Sequence, residues 1–242
     1  MDWWNLITTL VGAIIGAVVA GVISYIIARQ SARETLALQK QERVDREKSK
    51  AHSLTVKMMR LTNSLAGFHS AIESSIREAE RQIPDAPLWC KVRPVVGTED
   101  TMLHLLPDEL ALFVAAREFD FMNRAIMLND RYNSFVLGCR TYSAERTRLT
   151  DEFGAEMVGK FGTTHFTKEQ YERVAPRVVV VDALANEIRS TLNELFAEAI
   201  SLITKFTPIM RKYFGDQTFP ELAILEPAKA LASGQICPKA KA

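Results

Sequence analysis

Cysteine is scarce and poorly placed for structure. Cys90, Cys139 and Cys237 are odd in number and far apart, which excludes both a disulfide framework and a paired zinc spacing. They suit a reducing compartment. Histidine is almost as rare. None of His52, His69, His104 and His165 follows a glutamate by three residues, so the Glu-x-x-His pairs of di-metal bundles are missing. His69 and Glu73 lie one helical turn apart and supply two ligands at most, which makes them a helix-surface pair rather than a metal site. No Gly-x-x-x-x-Gly-Lys-Ser/Thr, Gly-x-Gly-x-x-Gly or Gly-x-Ser-x-Gly occurs, so phosphate cradle, dinucleotide turn and nucleophile elbow all lack a candidate. No catalytic, cofactor-binding or metal-ligating residue is assigned, and no cofactor is expected. Excess charge is missing too. Thirty basic residues against 29 acidic ones leave a formal +1, and no nucleic-acid partner is expected from that balance.

The most informative absence is local. Leu6–Ala28 contains no Asp, Glu, Lys or Arg across 23 residues. At about 1.5 Å per residue that run is long enough to cross a hydrocarbon core of roughly 30 Å. A cleaved signal peptide would carry a basic segment before a shorter apolar stretch, whereas here only Asp2 precedes the run and a charged stretch follows it. The expectation is a transmembrane anchor over residues 1–28. Arg29, Arg33, Lys40, Arg43, Arg46 and Lys48 follow the run while no Lys or Arg precedes it, which puts the N-terminus outside and the rest in the cytoplasm, at the inner membrane if the source is bacterial. Trp3, Trp4, Tyr25, Arg29 and Arg33 are the expected membrane-interface residues.

Within the run a small residue recurs at every fourth position: Gly12, Gly16, Ala20 and Ser24, with Ala13, Ala17 and Gly21 beside them. Lipid tails are as apolar as leucine, so membrane helices associate through close packing, and small residues permit it. These seven residues are the expected membrane-helix packing surface, and a homo-oligomer is the expected state.

Residues 29–50 are polar, lack Gly and Pro, and are expected to continue as a helical stalk of about 33 Å. From Leu54 the spacing changes to threes and fours: Leu54, Met58, Leu61, Leu65, Phe68, Ile72, Ile76, Ala79 and Ile83 predict a helix with one buried seam, ended by Pro84 and Pro87. After a long connection, Pro107, Asp108 and Glu109 suit a helix start, and helical patterning persists to about Lys160. Thr167 with Gln170 resembles a capping box. It opens a last helix whose stripe runs from Val181 through Leu192 and Phe206 to Met210, with Pro176 expected to divide it and Pro208 to kink it. Residues 51–214 are thus expected to form an up-down-up bundle of three long helices, and 215–242 a C-terminal tail.

The densest polar cluster is residues 117–140. Assigning 100° per residue places Leu112, Phe119, Met122, Ile126 and Val136 on one side, with Asn129, Asn133 and Arg140 on that same side and Asp120, Arg124 and Arg131 facing away. A core polar layer that fixes helix register is expected from Asn129, Asn133 and Arg140, with Glu187 and Glu194 as partners. The fold class expected is therefore all-α, a single membrane-spanning helix followed by a cytoplasmic bundle. The expected function is a membrane-anchored, self-associating scaffold whose partners are membrane lipid, its own copies and another protein. Two alternatives come from other classes: a triggered, oligomeric membrane effector or pore, and an enzyme with a site around 117–140.

Overall fold

Four long or medium helical segments and one short turn of helix account for most of the described residues: α1 (Trp3–Glu80), α2 (Leu88–Lys91), α3 (Pro107–Ala115), α4 (Phe119–Phe153) and α5 (Lys168–Phe214). The structure is a computed structural model. It describes residues 3–95, 102–153, 156–158, 161–163 and 167–221, without the side chains of 4–11, 14–15, 18–19, 153 and the two strands. The chain divides into two units, Met1–Ser49 and Lys50–Ala242.

The first unit is helix throughout its described length and forms the N-terminal part of α1. Its polar stretch is braced along one helix by Gln30–Glu34 at 3.1 Å, Arg43–Glu47 at 3.0 Å and Arg46–Glu42 at 3.4 Å, all at one-turn spacing.

In the second unit the seam read from the sequence is the core. Leu54, Met58, Leu61, Leu65, Phe68, Ile72, Ile76 and Ala79 of α1 are all buried, as are Val181, Ile188, Leu192, Leu195, Ala199, Ile203, Phe206 and Met210 of α5. Pro84 and Pro87 do follow the end of α1, which stops at Glu80 in a turn closed by Ile83 N–H on the Ala79 carbonyl at 2.7 Å. The capping box at α5 is present, with Gln170 N–H on Thr167 Oγ1 and Thr167 N–H on Gln170 Oε1. Pro176 does not divide α5. Pro176 and Pro208 both sit on the exposed side of the helix, where water can take the carbonyls that each proline leaves without an N–H.

The direction of the helices differs from the expectation. Arg124 meets Glu198, Arg131 meets Glu194 and Glu152 meets Arg177, so α4 and α5 are antiparallel. Glu73 meets Arg189 and His69 meets Phe196, so α1 and α5 are antiparallel as well. Hence α1 and α4 run the same way, as the Phe68–Phe135 contact between them allows. The order is up, up, down rather than up-down-up. The connection between α1 and α3 makes this possible, because it carries the chain back to the level of Ser53 before α3 begins.

The second helix is also not one piece. α3 ends at Ala115, and Arg117 adopts φ 61°. Glu118 N–H then reaches the Phe113 carbonyl at 2.8 Å and Arg117 N–H the Val114 carbonyl at 3.1 Å, a Schellman stop with arginine in the left-handed position. α5 stops in the same way at Gly215, φ 62°, with Asp216 N–H on the Arg211 carbonyl. A further difference lies between α4 and α5, where helix had been expected to about Lys160. Strands β1 (Glu156–Val158) and β2 (Phe161–Thr163) pair antiparallel there, with Val158 opposite Phe161. Apart from this hairpin the described structure is all-α. Beyond Gly215 the chain folds back and buries Phe219 against Phe206, Phe214 and His52. The rest of the expected tail, 222–242, lies outside the described residues.

The two Schellman stops make a paired test. Arg117→Gly removes a Cβ from a left-handed position and is expected to raise stability by about 1 kcal/mol, whereas Gly215→Ala lowers it by a similar amount. Thermal unfolding of the two variants beside the parent measures both, and equal melting temperatures in all three would contradict the assignment.

Candidate functional site

Two regions carry the sequence-derived candidates: the apolar stretch of α1 and the polar cluster of α4. In the first, Gly12, Ala13, Gly16, Ala17, Ala20, Gly21 and Ser24 are all exposed. A Cβ placed on Gly12, Gly16 or Gly21 would meet nothing within 4 Å. Trp3, Tyr25, Arg29 and Arg33 are exposed too, and the side chain of Trp4 lies outside the described residues. Among the described residues no helix is long and apolar enough to cross a membrane. The span expected over Leu6–Ala28 is thus unsupported by the described side chains, which omit positions 6–11, 14–15 and 18–19 of the run.

In α4 the covered face lies to one side of the one expected from Phe119, Met122 and Ile126. The buried face is Phe121, Ala125, Leu128, Tyr132, Phe135, Val136, Cys139 and Tyr142, while Phe119 is exposed and Met122 and Ile126 are half-buried. Arg124 and Arg131 do not face away from the partner helix. Arg124 reaches Glu198 at 2.9 Å and Ser201 at 3.1 Å, and Arg131 reaches Glu194 at 2.6 Å. Glu187, the other expected partner of the polar layer, accepts a bond from Thr191 one turn on.

Asn133 is turned to the α1–α3 connection. Its Nδ2 donates to the Leu103 carbonyl at 2.8 Å and its Oδ1 accepts Leu103 N–H at 3.0 Å, which pairs both backbone groups of one residue as a neighbouring strand would. Asn129 is buried. Its Nδ2 lies 3.4 Å from Asp130, and among the described residues its Oδ1 has no hydrogen-bond partner. Tyr132, one turn on, is fully buried with its hydroxyl equally without one. Arg140 is half-buried.

Sequence reasoning missed the strongest polar site. Glu109 of α3 is 2% exposed, and its carboxylate accepts from Lys57 Nζ at 2.7 Å, Ser53 Oγ at 2.8 Å and Leu106 N–H at 2.8 Å. Lys57 also donates to the His104 carbonyl at 2.8 Å. Burial alone would push the Glu109 carboxyl up, but Lys57, the Leu106 N–H and Ser53 together hold it below its ordinary 4.5. Acidic residues at a helix start are the only signal the sequence holds for this site. A second knot surrounds α2. Asp182 accepts Trp89 N–H at 3.0 Å, while Tyr142 Oη and Arg146 Nε both donate to the Trp89 carbonyl.

These groups hold backbone through the hydrogen bonds just described. Burial raises Cys90 to about 11, with Arg146 opposing and Asp182 adding, and raises Cys139 to about 12, so both stay thiols at neutral pH. Glu73 is bound bidentately by Arg189 at 2.9 and 3.3 Å, so the His69–Glu73 pair belongs to a helix–helix contact. Burial lowers the His69 pKa below 6.5, with Glu73 partly restoring it. Among the described residues no group of three or more His, Cys, Asp or Glu is placed to hold a metal ion. A shallow groove of about 400 Å³ runs between α4 and α5, lined by Arg131, Ser134, Gly138, Leu184, Glu187 and Thr191 among others.

Lys57→Met is expected to cost about 3 kcal/mol, because it strands a buried carboxylate. The Glu109 contribution is present above pH 4.5 and lost as pH falls through the depressed folded value, so the difference between parent and variant should shrink there. His69 acts in a higher window. Its folded form resists protonation, so stability falls as pH drops below 6.5, and His69→Gln should flatten that part of a chemical-denaturation series. Tyr132→Phe, which removes a buried hydroxyl without a partner, should raise stability by about 1 kcal/mol in the same assay; a loss would mean that the hydroxyl is bonded in solution. Compared with protein-family models, curated proteins and solved structures, the chain matches none, so its own residues and geometry are what bear on its function.

Proposed function

We propose that the protein is a single-pass membrane anchor that self-associates through α1 and presents its C-terminal helical unit as a cytoplasmic scaffold for a protein partner. The observation that carries this reading is the uncharged run Leu6–Ala28 with its one-sided basic flank, taken over the whole sequence including positions whose side chains are not described. Support comes from the continuity of α1, in which the backbone is helical from Trp3 through the entire run. The exposure of Val22, Ile23, Tyr25, Ile26 and Ile27 adds to it, since such a series is costly in water and ordinary in lipid. The open space beside Gly12, Gly16 and Gly21 suits the close approach of another helix. Scaffolding fits the bundle because its described polar side chains are largely engaged with backbone and with one another. An anchored oligomer acts by raising the effective concentration of whatever its bundle holds.

The test is the mass of the full chain in nanodiscs beside Gly12→Leu/Gly16→Leu. The parent should be a defined oligomer, and the double variant should associate at least tenfold more weakly, equivalent to about 1.4 kcal/mol. A monomeric parent would sink self-association through this face and leave α1 as a tether.

A further inference from the structure

Because α1 is one helix across the end of the uncharged run, angular positions can be carried from the run into the charged stretch. Counting about 100° per residue from Gly12, the residues Gly12, Ala13, Gly16, Ala17, Ala20 and Gly21 fill one side, from about 0° to 180°. Val22, Tyr25 and Ile26 lie on the other, between about 220° and 320°, with Ile23 and Ile27 the exceptions. Arg29, Arg33 and Lys40 fall between about 260° and 300°, in line with the bulky side and opposite the small one.

Most of the acidic residues take the other side; Glu47, at about 260°, is the exception and is engaged by Arg43. Glu34, Glu42 and Asp45 fall between about 40° and 120°, where Glu34 accepts from Gln30 and Glu42 from Arg46. Arg29, Arg33 and Lys40 are exposed, and among the described residues none has a hydrogen bond or ion pair to a carboxylate. Three cations in a row are thus left without a carboxylate partner among the described residues of their own unit.

We infer that Arg29 and Arg33, on the side of α1 opposite its small residues, bind the headgroup phosphates of anionic phospholipids and so fix which side of the helix looks into lipid. The inference rests on the membrane-anchor reading. Position selects these two residues. Along the helix axis Arg29 lies about 1.5 Å and Arg33 about 7.5 Å past Ala28, within a Debye length of roughly 8 Å, whereas Lys40 lies about 18 Å past it. Guanidinium groups also match phosphate oxygens two at a time. Opposite placement has a second effect: copies that pack through their small sides keep these arginines apart.

The experiment uses the full chain in vesicles of phosphatidylcholine alone and of phosphatidylcholine mixed with phosphatidylglycerol. Flotation on a density gradient reports membrane association, and native mass spectrometry after mild extraction counts the lipids retained. The parent should float and retain phosphatidylglycerol in preference to phosphatidylcholine. Arg29→Gln/Arg33→Gln should lower that preference by roughly 25-fold, about fivefold for each charge. Lys40→Gln should change it by less than about twofold, and Glu34→Gln not at all. Equal preference in parent and double variant, both floating, overturns the inference and leaves the anchor standing. A parent that floats with neither vesicle overturns both.

Discussion

A chain that joins two parallel helices must travel back along them, and the peptide groups on that return path have neither helix nor sheet to pair with. The segment between α1 and α3 meets this constraint with side chains. Ser75 bridges the Lys91 carbonyl and the Arg93 N–H, Tyr142 takes the Val92 carbonyl at 2.6 Å, and Ser143 takes Val95 N–H at 2.9 Å. Asn133 clamps both groups of Leu103, and Lys57 takes the His104 carbonyl. The parallel arrangement of α1 and α4 thus depends on a ladder of polar side chains rising from both helices. Removing any rung leaves a partly buried peptide group without a partner.

That ladder also explains the polar cluster that looked most like a site. Polar residues on the inner side of a helix must be bonded to something, and a ligand is one candidate. In this molecule Asn133, Tyr142 and Ser143 are taken up by the protein's own backbone, Arg124 and Arg131 by carboxylates of α5, and Glu109 by three donors from α1 and the connection. What the cluster provides is a fixed register between segments, which suits a rigid body that displays surfaces.

Much of this was legible beforehand, and the limits have physical causes. The α1 seam and the α5 stripe are long and regular, so nearly every position that a period of 3.6 residues marks in them is buried, while their flanks, such as Thr55, Thr62, Phe196 and Leu202, are buried beyond it. The α5 start was visible because a capping box is a local pattern. The face of α4 was misread because its apolar residues lie on two adjoining sides, Phe119, Met122 and Ile126 on one and Phe121, Leu128, Tyr132 and Phe135 on the other, and periodicity does not say which side is covered. Helix direction escaped because periodicity has no sign: a buried stripe is the same read either way. The Ser53–Lys57–Glu109 site joins residues more than fifty positions apart, which no local pattern marks.

The fold-back after Gly215 brings the last described residues of the second unit beside its start. His52, beside the start of that unit, stacks on Phe219 with ring centroids 5.1 Å apart, and Arg211 and Thr207 hold the carbonyls of Phe219 and Pro220. The described part of the unit therefore begins and ends on one side, which sets how that part bears load. A pull between Lys50 and Glu221 concentrates on the ring stack first and then unwinds α5 from its end. The bundle would peel open contact by contact instead of shearing along its whole length, and it would yield to far less tension than a bundle held by opposite ends.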